Sequence, residues 1–98
     1  MPADPESIEA HARTLGADAE ALDGCATRLR ELAARLREDD TVPSWLFDAL
    51  NAHITACVVA SADLAEAAER LRAYAALAAE GGRKRLRPPR APRGPADE

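Results

Sequence analysis

Asp39-Asp40-Thr41-Val42-Pro43-Ser44-Trp45 is the stretch whose reading decides the fold. It gathers turn-forming Asp, Pro and Ser, and proline is tolerated at the start of a helix but not inside one. On either side runs a long segment with the period of a buried helix. Upstream the apolar positions are Ile8, Ala12, Leu15, Ala19, Leu22, Ala26, Leu29, Ala33 and Leu36. Downstream they are Phe47, Leu50, Ile54, Cys57, Ser61, Leu64, Ala68, Leu71, Ala75 and Ala78. Steps of three and four alternate throughout, which is a heptad seam. A tight break between two such helices makes an antiparallel hairpin.

The boundaries follow from local chemistry. Asp4-Pro5-Glu6 reads as a helix start, with Asp4 as N-cap, Pro5 in the first turn and Glu6 favourable to the dipole. Helix 1 is expected over about 5–38, a turn over 39–44 and helix 2 over about 44–80, with Gly81-Gly82 as its stop. Gly16 and Gly24 lie off the first seam, and each lowers helix propensity by roughly 1 kcal/mol relative to Ala. Such residues mark either a close approach or a soft point.

Folding the chain back at residues 41–42 tests the seams against each other. Positions whose numbers sum to about 83 should then be opposed: Ala12 with Leu71, Leu15 with Ala68, Ala19 with Leu64, Leu22 with Ser61, Leu29 with Ile54 and Ala33 with Leu50. Small mostly faces large, which lets two helices approach closely without voids. Two helices alone still leave apolar residues off the seam, among them Leu32, Leu46, Val58, Val59 and Leu77. Dimerisation into a four-helix bundle is the economical way to cover them.

Composition agrees. Ninety-eight residues make one small domain, and the apolar share of 47% is largely Ala, the best helix former but a poor source of buried area. Val58-Val59 is the only β-branched apolar pair and lies inside a helical pattern. The fold class is all-α. The formal net charge of −4 conceals an asymmetry: residues 83–98 carry six basic and two acidic groups and so stand at +4, which leaves the body at −8. An acidic body argues against a nucleic-acid-binding fold, and the basic tail lacks interleaved aromatics for stacking on bases. Residues 81–98, rich in Pro and Arg, are expected to be disordered. The chain shows neither a run of eighteen apolar residues nor a basic, apolar leader, so no membrane span and no Sec-type signal are expected.

Chemistry-bearing residues are sparse. His53 and Cys57 share a helix face, with Cys25 at similar height on the other helix, but a fourth zinc ligand is missing and no acid or oxyanion donor completes a catalytic dyad. No metal, cofactor or enzymatic activity is expected. Cys25 and Cys57 sum to 82, one short of the register; a disulfide between them would contribute about 3–4 kcal/mol through loop closure, and the alternative is a pair of small buried thiols. Trp45 reads either as a recognition anchor or as an amphipathic cap on the seam.

Two long helices within about a hundred residues and a Trp at the bend resemble the WXG superfamily of type VII secretion substrates. The opening Asp4-Pro5-Glu6-Ser7-Ile8-Glu9-Ala10-His11-Ala12, with Leu15 and the Leu/Ala heptads, is similar to the related EspC-like family, and the Ala- and Arg-rich composition suits an actinobacterial member. The resemblance covers roughly residues 4–80. It implies a protein held in the cytoplasm before Sec-independent export, acting as a secreted dimer, as an export partner for a larger effector, or as an adaptor. Its partners would be itself, a paralogous helical hairpin or a secretion ATPase, through Trp45, Phe47 and Tyr74. Two features depart from the family pattern: the Trp-x-Gly turn is here Trp45-Leu46-Phe47, and Ala78 stands where the signature beginning at Tyr74 has an acid.

Overall fold

Asp4 starts the first helix. Its carboxylate accepts from the N–H groups of Glu6 and Ser7 at 2.8 and 3.1 Å, satisfying two donors that the first turn cannot pair internally. The computed structural model describes residues 4–86, and two α-helices account for nearly all of them: α1, Pro5–Leu36, and α2, Ser44–Leu86. No strand occurs among the described residues. The helices run antiparallel as a hairpin.

α1 stops at Leu36, slightly before the expected limit. Arg37 is its C-cap, still right-handed, with its N–H donated to Ala33. The connection is then organised by Asp39, whose Oδ1 accepts from the Thr41 backbone N–H at 2.9 Å and from the Thr41 hydroxyl at 2.6 Å. This side-chain turn lets a few residues reverse the chain without glycine. The two hydrogen bonds, the hydroxyl's first, hold the Asp39 carboxyl below its usual range. Ser44 is the first residue of α2, and the Pro43 carbonyl accepts from Leu46 N–H at 3.1 Å.

The second helix does not end at Gly81-Gly82. It runs on through both glycines to Leu86, which corrects the expectation that residues 81–86 belong to a disordered tail. A glycine terminates a helix only where the chain enters the left-handed region, and no glycine among the described residues has a positive φ. Arg83, Lys84 and Arg85 in the last turn complement the negative end of the dipole, and Glu80 pairs with Arg83 at 3.1 Å. Together these offset the weak propensity of two glycines. The remainder of the basic tail, from residue 87, lies outside the described residues.

The core follows the two seams closely. All of the buried apolar residues (Ile8, Ala12, Ala19, Ala26, Ala33, Leu50, Ala68 and Ala75) are seam positions, and every other seam residue is half-buried. Ser61 donates its hydroxyl to the Ala19 carbonyl across the hairpin at 2.7 Å, one turn from the expected Leu22. On α1 the division within the seam is regular: the alanines are buried and Leu15, Leu22, Leu29 and Leu36 are half-buried. The alanines set a close approach of the two backbones, and the leucines lean out to one side.

Candidate interaction surfaces

The two flanks of the hairpin differ. At 100° per residue, positions four after the seam alanines lie beyond them on one flank, and positions three after the leucines lie beyond those on the other. The first flank carries an open groove of about 380 Å³ floored by Gly16, Ala19, Ser61 and Ala68 and rimmed by Glu20, Asp23, Glu69 and Arg72. Residues of both helices line it, so the alanine sides of α1 and α2 face the same way. Gly16 admits Arg72 here: a Cβ on Gly16 would lie 3.3 Å from the guanidinium.

The second flank is apolar. Leu15, Leu22 and Leu29 from α1 and Leu64 and Leu71 from α2 show part of their side chains there. Beyond them lie Leu32, 41% exposed, and Tyr74 and Leu77, which are more so. A third apolar strip runs along the back of α2, where Trp45, Ala52 and Val59 recur every seven residues until Glu66 interrupts them. The apolar content of this part of α2 is high enough that Ser44–Arg85 holds a window able, by length and composition alone, to cross a membrane, and only 6% of that window is buried. Asp48, Asn51 and His53 fall in the same region.

Trp45 does not cap the seam. It is 66% exposed in the first turn of α2, pointing away from the helix interface, and the residue that closes the seam is Phe47. Phe47 is half-buried, with the Arg37 guanidinium 5.9 Å from its ring centroid, a cation–π contact that spans the turn and ties its two ends together. Sequence reasoning missed this contact, although the numbers 37 and 47 sum to 84, only one past the register. Tyr74 stands far along α2 from Trp45, exposed and off the seam, so these two residues belong to separate surfaces.

Cys25 and Cys57 are both free and half-buried. Cys25 Sγ accepts from the Arg28 guanidinium at 3.4 Å. The intrachain disulfide is therefore not formed in this structure. His11 and His53 are exposed, and among the described residues no group of three or more His, Cys, Asp and Glu converges on a common point. The described surfaces are faces for contact, without an enclosed cleft carrying convergent polar groups. No family model, curated protein or solved structure matches the sequence.

Proposed function

We propose that this chain is a non-enzymatic helical hairpin of the type VII secretion kind, a secreted substrate or export partner that works by pairing with itself or with a paralogous hairpin into a four-helix bundle. The observation that carries this reading is the division of labour along the hairpin. Six of the eight buried seam residues are alanines, while every seam leucine but Leu50 is only half-buried and Trp45 is largely exposed. An isolated two-helix unit leaves too much apolar surface wet to stand on its own core. Trp45 at the first turn of α2 also occupies the position that the resemblance gives to the family's tryptophan. A secretion ATPase or a larger effector would meet the exposed ends, near Trp45 or near Tyr74.

Native mass spectrometry at micromolar concentration tests the pairing, alone and with any hairpin encoded beside it. A dimer in either case is expected, and a stable monomer in both would sink the proposal. Export is read separately, by finding the protein in the supernatant of intact cells but not of a secretion mutant.

One feature favours a second reading, an intracellular adaptor for another protein's amphipathic helix. Ala78 is half-buried on the seam, where the export signature beginning at Tyr74 would need an exposed acid, and the nearest acid, Glu80, already pairs with Arg83. Retention of the protein inside cells under every growth condition would select it.

A further inference from the structure

We infer that the C-terminal end of α2, from Arg70 onward, is an interfacial anchor by which the hairpin rests on a membrane surface rich in anionic phospholipid. The inference goes beyond the pairing proposed above and does not need it. α2 outruns its neighbour: α1 begins at Pro5, which the register sets opposite about residue 78, so the last turns of α2 project as a free helical end. Arg83, Lys84 and Arg85 on that end are all exposed, and successive residues lie 100° apart, so their charges cover three sides of it. Among the described residues only Arg83 of the three has an acidic partner, Glu80. Arg87, Arg90 and Arg93 follow in the sequence. The acids at this end of α1, Asp4, Glu6 and Glu9, sit about one to three turns short of the cations. With a Debye length of about 8 Å at physiological salt, they and the rest of the acidic body are largely screened from a surface that the cations touch.

The apolar groups beside these charges select a bilayer over other polyanions. Arg70, Tyr74, Leu77, Gly81 and Lys84 follow one another by fours and threes, so they share one face of α2. Tyr74 is 60% exposed and Leu77 71%, and both lie off the seam. Two cations thus bracket an exposed aromatic and an exposed leucine. Tyrosine suits the level of lipid headgroups and leucine the acyl boundary beneath, while long basic stems let the charged heads stay with phosphate. A nucleic-acid backbone offers Leu77 no apolar counterpart, and the other two aromatics of the chain, Trp45 and Phe47, are far away at the turn, so no stacking platform forms around Tyr74. The turn end is the reverse case. Trp45 is exposed there, but residues 37–48 set Arg37 against Glu38, Asp39, Asp40 and Asp48, and an anionic surface repels that end. The hairpin therefore meets the bilayer by the end of α2 and keeps its turn in solvent.

Vesicle flotation with the full-length chain tests this. Phosphatidylcholine vesicles are compared with vesicles in which a third of the lipid is phosphatidylglycerol, at physiological salt. Binding to the anionic vesicles alone is expected, and high salt should abolish it. Arg83→Ala, Lys84→Ala and Arg85→Ala combined leave the seam untouched and keep good helix formers in place. Together they should weaken binding on the order of a hundredfold, at about fivefold per cation. Tyr74→Ser with Leu77→Ser, folded by circular dichroism, should weaken it about tenfold without changing the salt dependence. Trp45 reports the orientation: its emission should stay where it is when anionic vesicles are added, whereas the emission of a Tyr74→Trp, Trp45→Phe variant should move to shorter wavelength. A chain that ignores anionic vesicles, a triple-alanine variant that binds as tightly as the parent, or a blue shift of Trp45 itself overturns the anchor. Retention on duplex DNA without retention on vesicles overturns it as well, by assigning the cations to nucleic acid. Native mass spectrometry reads the pairing of hairpins separately, so failure of one reading is distinguishable from failure of the other.

Discussion

The hydroxyl of Ser61 donates to the carbonyl of Ala19, 2.7 Å away on the facing helix, and this is the one side-chain hydrogen bond between α1 and α2 among the described residues. It fixes register where the seam would otherwise be read only by shape. Ala19 is buried and the serine is half-buried, so the bond is partly shielded from water. The carbonyl stays in the ladder of α1 even without it. Ser61→Ala should therefore cost only about 0.5–1.5 kcal/mol, read as a lower urea midpoint with an unchanged m-value. A loss above about 3 kcal/mol would show that the bond does more than pin the register.

The buried alanines impose the close approach of the helices, so enlarging one should hurt. Ala26 is fully buried, and Ala26→Leu is expected to lose about 1–3 kcal/mol by overpacking. Ala21, one turn away and exposed, is the control: Ala21→Leu should change stability by less than about 0.5 kcal/mol. Thermal unfolding followed by circular dichroism compares the two, and equal effects would refute the tight seam.

Gly81 and Gly82 sit inside a helix with open space around them. A Cβ on Gly81 would meet only the Arg85 guanidinium at 4.0 Å, and one on Gly82 would meet nothing within 4 Å. Changing both to Ala should then strengthen the last turns by about 0.5–1 kcal/mol per site. This overhang lies past the end of α1, so the gain should appear as helicity at 222 nm and slower amide exchange of residues 80–86, with the main melting transition hardly moved. Reduced helicity would mean that the glycines terminate the helix after all.

Asp39 links the turn to pH. Its carboxyl is held low by the Thr41 hydroxyl and backbone N–H, which bind the ionised form. A depressed folded-state value means that the contribution is present above the unfolded carboxylate range and is lost as pH falls through the folded value. Thr41→Ala removes the larger cause and should raise the Asp39 midpoint in a carbon-13 titration. An unchanged midpoint would break the assignment.

Trp45 and Phe47 should separate cleanly. Trp45 is 66% exposed, so Trp45→Ala is expected to change stability by less than about 0.5 kcal/mol. Phe47 is half-buried against Arg37, and Phe47→Ala should cost about 1.5–3 kcal/mol. Denaturant titration measures both. A large loss from Trp45→Ala would return that residue to a structural role.

How much was legible in advance divides along physical lines. The seams, the turn and the N-cap at Asp4 are set by contacts near in sequence and by a strict 3.5-residue period, and every predicted seam residue is indeed buried or half-buried. The end of α2 was misplaced because glycine is permissive: Gly81 and Gly82 accept a stop or a continuation, and the basic residues beyond them with the Glu80–Arg83 pair decide it. The cysteines were read at similar height, which was not enough. Height along the bundle does not fix the facing of a helical side chain, which turns by 100° per residue, and Cys25 accepts from Arg28 on its own helix while both thiols stay free.

The sequence by itself therefore determined that two matched helices fold back over about 39–44 and which residues face inward. Only the tertiary structure decided which of those residues are fully covered. That depends on how closely two backbones approach, and the buried alanines let them come near enough for the leucines to be pressed out to one flank. The same closeness leaves Trp45 outside, because in the first turn of α2 the seam is already closed by Phe47 and Arg37.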